Sequence, residues 1–230
     1  MLARPRARRL RSSFYDRPTL DVLADIIGKV LVHDVRGRRT SGVIVEAEAY
    51  VGETDPACHA APGPTMRNAP LYGPPGRAYV YLNYGIHCLV NVVTEGSGAP
   101  AAILIRALEP LEGIDLMRQR RARAARAAGH GETARRETSA LCRGPGNLTI
   151  ALGIRLRHNR VSLVTGPLAL EDHGIRARHL TWSPRVGLRV GVNRPWRCAW
   201  SGHPCVSGPR RSPTTAGEGP PSAVRPEHRR

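Results

Sequence analysis

The chain has 230 residues and a formal net charge of +17, with 41 % hydrophobic but only 4 % aromatic residues. This apolar content is enough for the core of one larger domain or two small ones, so wholesale disorder is excluded. An apolar run of about 18 residues, as a membrane-spanning helix needs, is missing from the sequence. The Arg-rich start has no apolar segment, so we expect no secretory signal. The charge favours a polyanionic partner, a nucleic acid before an anionic membrane.

The positive charge is concentrated in three segments. Residues 1–11 carry +5, residues 118–136 carry +6 and residues 209–230 carry +3, which leaves +3 for the rest of the chain. Both ends are polar and Arg-rich, and we predict disordered tails at 1–12 and 208–230 around a single domain at 13–207. A genome that encodes arginine liberally is the alternative explanation for much of this charge.

Secondary structure is predicted from hydrophobic spacing and from turn residues. The predicted helices cover residues 19–27, 110–128 and 147–152, the first with Thr19 as its N-cap. The predicted strands cover residues 29–35, 41–51, 79–84, 86–93, 101–107, 168–171, 185–190 and 196–206. The third and fourth strands form a hairpin that turns at 83–85, which argues against a purely parallel sheet and indicates an α+β domain.

Cysteine and histidine spacing indicates neither a disulfide framework nor a metal site. The five cysteines form no C-x-x-C motif, and the nine histidines form no H-E-x-x-H motif. We therefore expect a reducing, cytosolic setting and no structural metal.

Two carboxylates and a tyrosine are predicted to point the same way from the strand over 41–51. Because strand side chains alternate, one face is predicted to hold Val43, Val45, Ala47 and Ala49, and the other Ile44, Glu46, Glu48 and Tyr50. A solvated outer face is the commoner explanation of such a pattern. In the functional interpretation Arg106 faces Glu48, and the two hold a water that the carboxylate activates as a general base. An exposed arginine at a sheet edge is the alternative for Arg106.

Tyrosines cluster on the predicted hairpin. Tyr79 and Tyr81 share a face of a flat strand, whereas Tyr84 lies at the turn, where it would serve as a wedge or as a stacking group for a base. Ordinary half-buried sheet residues are an equally good explanation, since tyrosine favours strands.

Short motifs follow one another in a characteristic order between residues 13 and 207. They are Glu46-Ala47-Glu48-Ala49-Tyr50, Cys58-His59, Thr65-Met66-Arg67-Asn68, Tyr79-Val80-Tyr81-Leu82-Asn83-Tyr84-Gly85, Asn91, Leu104-Ile105-Arg106-Ala107-Leu108-Glu109-Pro110, Cys142-Arg143-Gly144-Pro145-Gly146-Asn147-Leu148, Arg185-Val186-Gly187 and Arg194-Pro195-Trp196-Arg197. Together they resemble the alkyladenine (methylpurine) DNA glycosylases, the 3-methyladenine excision enzymes of the mammalian type. The family usually has aromatic residues after the last arginine, where this chain has Cys198 and Ala199.

The resemblance implies a fold and the roles of several residues. The fold would be a single mixed α/β domain on a curved antiparallel sheet, a barrel like the C-terminal domain of formyltransferases. Glu48 would be the general base, Arg106 would help to hold the water, and the backbone carbonyl of Val186 would contact it. The spacing to Pro195 favours Val186 over the near copy at Val190. By the same resemblance, Tyr50, His59 and Tyr81 would stack the extruded base, and Asn91 would disfavour the 2-amino group of guanine. Tyr84 would fill the gap that the base leaves in the duplex. Contacts to DNA would come from Arg67, Asn68 and Arg143.

The implied reaction is hydrolysis of the N-glycosidic bond of alkylated purines in double-stranded DNA. An alkylated purine is cationic, so tyrosine faces attract it, and it leaves readily, so one carboxylate and one water suffice. The only lysine, Lys29, lies outside the motifs, and this predicts a monofunctional enzyme without a lyase step. We expect a monomer in the cytoplasm, on the nucleoid if the protein is bacterial, with no cofactor and no membrane partner.

Two alternatives come from other functional classes. A non-catalytic nucleic-acid-binding domain of the same fold would not need Glu48, Arg106 and Tyr84 together. An enzyme that acts on free nucleosides would leave the basic segments and the wedge tyrosine without a purpose.

Overall fold

The computed structural model describes residues 7–129 and 137–208 of the chain. The helices are α1 (Ser12–Tyr15), α2 (Thr19–Ile26), α3 (Ile114–Ala127) and α4 (Pro145–Leu152), with 3-10 turns at Ala69–Tyr72, Thr138–Ala140 and Leu156–His158. The strands are β1 (Arg8–Arg9), β2 (Val30–Val35), β3 (Arg38–Val51), β4 (Ala78–Asn83), β5 (His87–Val93), β6 (Ala101–Glu112), β7 (Leu168–Asp172), β8 (Leu180–Ser183) and β9 (Arg197–Trp200).

The strands of the described residues form one large antiparallel sheet, which confirms the mixed α/β class. The strand order is β1-β7-β2-β3-β6-β5-β4, and β9, which also pairs with β8, joins the sheet at β3. The two ends of this order, β1 and β4, are not paired with each other within 7–129 and 137–208. The sheet is therefore open in the described part of the chain, and the expected barrel closure is not seen.

Strand β3 is the centre of the sheet, because it changes partners along its length. Its first part pairs with β2 over residues 38–43, its later part pairs with β9 over residues 46–48, and β6 lies along its other edge. The register between β3 and β6 shifts on both sides of Glu46, and Arg106 has no partner in the ladder. Such bulges bend a strand and re-aim its side chains.

Because of these bulges, the side chains of β3 are distributed differently from the two predicted faces. Ile44, Ala47 and Ala49 all pack in the main core, whereas Val43 and Val45 belong to two smaller clusters. The predicted grouping of Ile44 with Glu46 and Glu48 is wrong, because strict alternation does not continue through the irregular register.

The main core lies between the sheet and the helices α2 and α4. Both helices bury apolar side chains against it, among them Leu23 and Ile26 of α2 and Leu148 and Leu152 of α4. Each such side chain contributes about 1.5–3 kcal/mol when it is fully buried. This packing holds the strands that carry the candidate site.

Three predicted elements differ from the structure. Strand β6 continues to Glu112 because it pairs with β3, so the helix predicted over 110–128 begins only at Ile114, after Gly113 with a φ of +70°. The strand predicted over 185–190 does not form, and that segment is a loop that follows the unpredicted strand β8. The strand predicted over 196–206 is shortened to β9.

The ends of the predicted domain also differ. Arg8 and Arg9 pair with Asp172 and Glu171, so the sheet extends into the segment predicted as a tail at 1–12. Residues 1–6, residues 130–136 and nearly all of the tail predicted at 208–230 lie outside the described residues. Among the helices that the structure describes, none has both the length and the apolar character needed to cross a bilayer.

Candidate active site

A partly open pocket, with about 300 Å³ of empty space that includes open solvent, lies beside strands β3, β4 and β5. Its lining consists of Tyr50, Ala57, Cys58, His59, Leu71, Tyr79, Tyr81, Asn91 and Ala102. The structure thus brings together the four residues predicted to bind a base, Tyr50, His59, Tyr81 and Asn91. Tyr79 was not predicted as a lining residue, although its position two residues before Tyr81 places it on the same face of β4. A small concave site with aromatic walls is typical of ligand pockets.

The aromatic rings of the pocket form a compact group. The ring centroids of His59 and Tyr81 are 4.5 Å apart, and those of Tyr79 and Tyr81 are 5.4 Å apart. Nδ1 of His59 and the hydroxyl of Tyr79 form a hydrogen bond of 2.9 Å. Burial lowers the pKa of His59, with a smaller contribution from Arg67, and burial raises the pKa of Tyr79 and Tyr81 to about 12. The walls are therefore neutral at pH 7 and present electron-rich faces to a flat cation.

Asn68 supports the pocket from the loop that carries His59. Its Oδ1 accepts a hydrogen bond from the Thr65 amide (2.6 Å), and its Nδ2 donates to the carbonyls of His59 (2.7 Å) and Gly63 (2.8 Å). The side chain is buried, so the predicted contact of Asn68 with DNA does not fit its geometry. Its neighbour Arg67 is exposed.

Asn91 joins the pocket from β5. It pairs with Tyr79 across β4 and β5, and its Nδ2 donates to the Tyr79 carbonyl at 3.0 Å. The side-chain amide is buried at the pocket wall with a fixed orientation.

Glu48 lies behind Tyr50, fully buried. Its Oε1 accepts a hydrogen bond from the amide of Val186 at 2.7 Å, and its Oε2 accepts from the Tyr50 hydroxyl at 3.0 Å and from Nη1 of Arg106 at 3.1 Å. Glu46 is fully buried as well, so neither the solvated outer face for the two glutamates nor the exposed edge for Arg106 is correct. Burial, followed by the charge of Glu48, raises the pKa of Tyr50, so its hydroxyl stays a donor.

Glu46 lies on the other side of Arg106. Its Oε1 accepts hydrogen bonds from Nε of Arg106 (3.0 Å), Nε of Arg197 (2.7 Å) and the Ser207 hydroxyl (3.0 Å), and its Oε2 accepts from the Ser207 amide (2.6 Å). Burial by itself raises the pKa of Glu46, but Arg197, Arg106 and Ser207 outweigh it and hold the pKa below its ordinary value. Sequence reasoning missed Arg197 and Ser207, although Arg197 ends one of the quoted motifs.

A second buried ion pair fixes the loop that follows β8. Arg185 and Asp55 have fully buried side chains and form two hydrogen bonds of 2.5 and 2.8 Å. The guanidinium carbon of Arg185 is also 4.6 Å from the ring centroid of Tyr50. This anchoring brings the next residue, Val186, to Glu48 through its N–H group. Its near copy Val190 is about half exposed in the same loop. The predicted contact of the Val186 carbonyl with a water stays a prediction.

The tip of the hairpin between β4 and β5 exposes apolar side chains. Tyr84 is 89 % exposed and Ile86 is 71 % exposed. The φ angles of Tyr84 and Gly85 are +48° and +70°, as in a type I′ turn. A bulky residue in the left-handed region is uncommon, and an exposed tyrosine there contributes little to stability.

The arginines differ in how much of their charge is available at the surface. Arg143 donates to the carbonyl of Pro204 at 2.6 Å, so it fastens the segment after β9 rather than extending into solvent. In α3, Arg120 donates to the carbonyl of Ala151 at 3.0 Å and Arg121 is buried, whereas Arg123 and Arg126 are exposed. Arg121 therefore does not belong to the exposed face of this helix.

The remaining reactive groups are held in structural positions. The amine of Lys29 is 2.8 Å from a carboxylate oxygen of Asp172 between β2 and β7. Burial raises the pKa of Cys58 in the pocket wall to about 11. Within residues 7–129 and 137–208, there is no group of three or more His, Cys, Asp or Glu side chains that would hold a metal ion.

Comparison with known proteins gives a consistent result. Residues 13–204 match the family described as methylpurine-DNA glycosylase. Relatives from Chlorobaculum tepidum and Methanocella arvoryzae, both named "Putative 3-methyladenine DNA glycosylase", are 42 % and 43 % identical to the chain. The alignments cover 87 % and 89 % of this chain, and 91 % and 97 % of the respective relatives. The chain therefore belongs to the methylpurine-DNA glycosylase family.

Proposed function

We propose that the protein is a monofunctional DNA glycosylase that hydrolyses the N-glycosidic bond of alkylated purines in double-stranded DNA. The observation that carries the proposal is the position of Glu48. Its carboxylate is buried behind the pocket wall and is bound by Arg106, the Val186 amide and the hydroxyl of the lining residue Tyr50.

The pocket suits a flat, cationic base. Tyr50, Tyr81 and neutral His59 offer π faces that attract an alkylated purine by stacking and by cation–π contact. The base must leave the DNA stack to enter, which costs a few kcal/mol. Tyr84, exposed at the hairpin tip, would take the place of the base in the duplex and offset that cost. Asn91 would exclude the 2-amino group of normal guanine at the wall.

The chemical step needs one water and one base. Oε1 of Glu48 accepts a single hydrogen bond from protein, so it retains a lone pair for a water. In the proposed step the water oxygen bonds to C1′ of the sugar, the C1′–N bond breaks, and its electron pair neutralises the cationic purine. Glu48 takes the proton from the water and later releases it to solvent. Arg106 and the carbonyl of Val186 would orient this water.

The strand-cleaving lyase reaction is not part of this proposal. That reaction would require an amine nucleophile, and the single lysine of the chain, Lys29, is engaged by Asp172. We further propose that the protein works as a monomer on DNA in the cytoplasm, at the nucleoid if it is bacterial. Arg67, Arg123 and Arg126 are among the exposed arginines that are candidates for phosphate contacts.

A binding domain without catalysis is the alternative. A buried cluster of two carboxylates and two guanidinium groups is expensive to desolvate, and a domain that only binds DNA has no use for it beside an aromatic pocket. The cluster therefore favours the enzyme.

The test is incubation of the purified protein with duplex oligonucleotides that carry one damaged purine. Separate duplexes would contain 3-methyladenine, 7-methylguanine, hypoxanthine or ethenoadenine. We expect strand breaks at the lesion only after treatment with alkali, which reveals abasic sites. Breaks before alkali would contradict the monofunctional mechanism, and intact strands for every lesion after alkali would contradict the glycosylase.

A further inference from the structure

The cluster around Arg106 has a feature that the proposed hydrolysis does not use. Glu46 does not line the pocket, yet it is fully buried and accepts four hydrogen bonds. Two of its donors, Arg106 and Arg197, are cationic. Removing a carboxylate from water is unfavourable unless cations and hydrogen bonds compensate for the lost hydration, and these four donors supply that compensation.

The geometry connects Glu46 to Glu48 through a shared cation. Arg106 donates from Nε to Glu46 at 3.0 Å and from Nη1 to Glu48 at 3.1 Å, so its fork is held between the two carboxylates. Arg197 is the residue paired with Glu48 across β3 and β9, and its Nε is 2.7 Å from Glu46. Glu46 therefore contacts both guanidinium groups, whereas Glu48 contacts that of Arg106 and lies opposite Arg197 in the strand pairing.

The formal charges of this cluster balance. Two carboxylates, of Glu46 and Glu48, face two guanidinium groups, of Arg106 and Arg197. With Glu46 present, the positive charge of Arg106 is divided between two acceptors. Without it, both cations would act on Glu48 alone, and a base that is stabilised too strongly in its charged form accepts a proton poorly.

We propose that Glu46 and Arg197 are positioning residues that set the basicity of Glu48 through the charge balance of this cluster. The inference rests on the proposed role of Glu48 as the base that activates water. Glu46 orients the guanidinium of Arg106 and offsets its charge, and Arg197 offsets the charge of Glu46 in turn.

Other charged or titratable groups also face Glu48, and they remain constant in the test. Tyr50 donates to Glu48 from β3, Tyr81 approaches from β4, and the Val186 amide donates from the loop after β8. Arg185 lies over the Tyr50 ring and is already paired with Asp55. None of these groups is altered by a change at Glu46 or Arg197.

The test compares the pH dependence of excision in single turnovers for two opposite changes. Glu46→Gln removes a negative charge and is expected to move the acid limb of the rate profile to lower pH by about one unit. Arg197→Gln removes a positive charge and is expected to move the same limb to higher pH. The double variant Glu46→Gln with Arg197→Gln restores the balance, so its limb is expected to return towards that of the unmodified protein.

A matched control separates charge balance from the loss of any buried ion pair. Glu171 on β7 is a buried carboxylate bound by Arg39, away from the pocket lining. Glu171→Gln is expected to lower stability without moving the acid limb. The proposal would be overturned if the acid limb moves in this control. It would also be overturned if the acid limbs of the Glu46 and Arg197 variants do not move, or if both move in the same direction. If Glu46→Gln does not fold, the proposal is decided by Arg197→Gln alone, for which we expect the acid limb of the rate profile to move to higher pH.

A second readout does not depend on activity. Carbon-13 NMR of labelled glutamate carboxyl groups in the protein without DNA, assigned with Glu48→Gln, follows the titration of Glu48 directly. We expect the midpoint for Glu48 to fall in Glu46→Gln and to rise in Arg197→Gln. If the unmodified protein excises no lesion, the proposed function fails while this titration still decides the inference. Unchanged midpoints would overturn the inference whether or not the enzyme is active.

Discussion

The guanidinium of Arg185 lies against the ring of Tyr50, 4.6 Å from its centroid, while the hydroxyl of the same tyrosine donates to Glu48. One face of Tyr50 is thus supported by a cation that is itself locked to Asp55, and the residue as a whole lines the pocket. The wall that would stack a base is held rigid by a buried ion pair. Stability and the geometry of the site are therefore coupled at this point.

Removal of Arg185 should destabilise the fold strongly. In Arg185→Met, Asp55 keeps its charge in a fully buried position without its main partner, which costs about 3–5 kcal/mol of unfolding free energy. Urea unfolding measures this loss. Arg194→Ala is the matched control: Arg194 is 3.9 Å from Asp55 and partly exposed, so its loss should cost about 1 kcal/mol or less.

Coupling between the two partners gives a stricter check. The double variant Arg185→Met with Asp55→Asn should lose less stability than the sum of the two single variants, because it leaves no unpaired charge. Additive losses would show that the ion pair does not account for the effect.

Glu48→Gln should retain binding to DNA and lose excision. The amide is almost isosteric but cannot accept the proton of a water, and general-base catalysis typically contributes about 10²–10⁴-fold. Single-turnover excision and gel-shift affinity for the same lesion duplex measure the two properties. Glu171→Gln, which removes a buried carboxylate elsewhere, should keep its rate. Excision by Glu48→Gln at the rate of the unmodified protein would remove Glu48 from the mechanism.

Tyr84→Asn should impair recognition of the lesion without a loss of stability. The side chain is 89 % exposed, and asparagine tolerates the positive φ of this position well. We expect weaker excision and weaker lesion-specific binding, with affinity for undamaged DNA and the midpoint of thermal unfolding unchanged. Tyr84→Phe keeps the ring and should behave like the unmodified protein. Equal weakening for damaged and undamaged DNA would contradict the wedge.

The arginines of α3 should divide into two groups by their effect on DNA binding. Replacing the exposed Arg123 and Arg126 by alanine should lower affinity and reduce the slope of log K against log salt concentration by about one for each phosphate contact that is lost. Arg120→Ala instead removes a hydrogen bond to the carbonyl of Ala151 and should lower stability. A slope that does not change in the Arg123 and Arg126 variant would mean that this helix does not touch DNA.

Stability should fall as the pH decreases from neutral towards about pH 4. The rings of His33 and His158 are buried 4.6 Å apart; burial, and then the neighbouring His33, lowers the pKa of His158 to about 4, and burial lowers that of His33 as well. Between about pH 6.5 and about pH 4, these two histidines bind protons in the unfolded chain but not in the folded protein. The free energy of unfolding therefore drops by about 1.4 kcal/mol per pH unit for each such histidine.

Urea unfolding at several pH values measures this slope. His158→Asn keeps an acceptor for the Arg155 amide and should flatten the slope between about pH 6.5 and pH 4.5. The pKa values of Glu46, Glu112 and Glu171 are lowered in the folded protein, and this also reduces stability as the pH falls. The effect begins only below about pH 4.5, where these carboxylates protonate in the unfolded chain but remain charged in the folded one. An unchanged slope in His158→Asn would contradict the assignment.

The sequence predicts the pocket better than it predicts the cluster behind it. Tyr50, His59, Tyr81 and Asn91 are implied by the resemblance to the methylpurine-DNA glycosylases, and they meet at one pocket. Alternation along β3, in contrast, favoured a solvent-exposed face for the two glutamates. Their burial depends on β9 and on Ser207, which lie about 150 residues away in the chain. Local periodicity contains no information on such distant partners.

Two further differences have local physical causes. Proline is well tolerated in the first turn of a helix, so Pro110 was consistent with a helix start, but pairing of β6 with β3 keeps the chain extended there. The loop after β8 has strand-like composition at 185–190. Its conformation is determined by the buried pairing of Arg185 with Asp55, a contact between positions 130 residues apart.

The hydrogen bond between Ser207 and Glu46 has a consequence for folding during synthesis. The two residues are 161 positions apart, so a ribosome delivers the donor long after the acceptor. A nascent chain that has passed Arg106 but has not yet reached Ser207 contains both glutamates and the pocket aromatics, but leaves one oxygen of Glu46 without its donor. The hydrogen bonds to the buried charges are therefore completed only by the last described residues, and a chain that ends before Ser207 retains the residues proposed for excision without all the contacts that hold them in place.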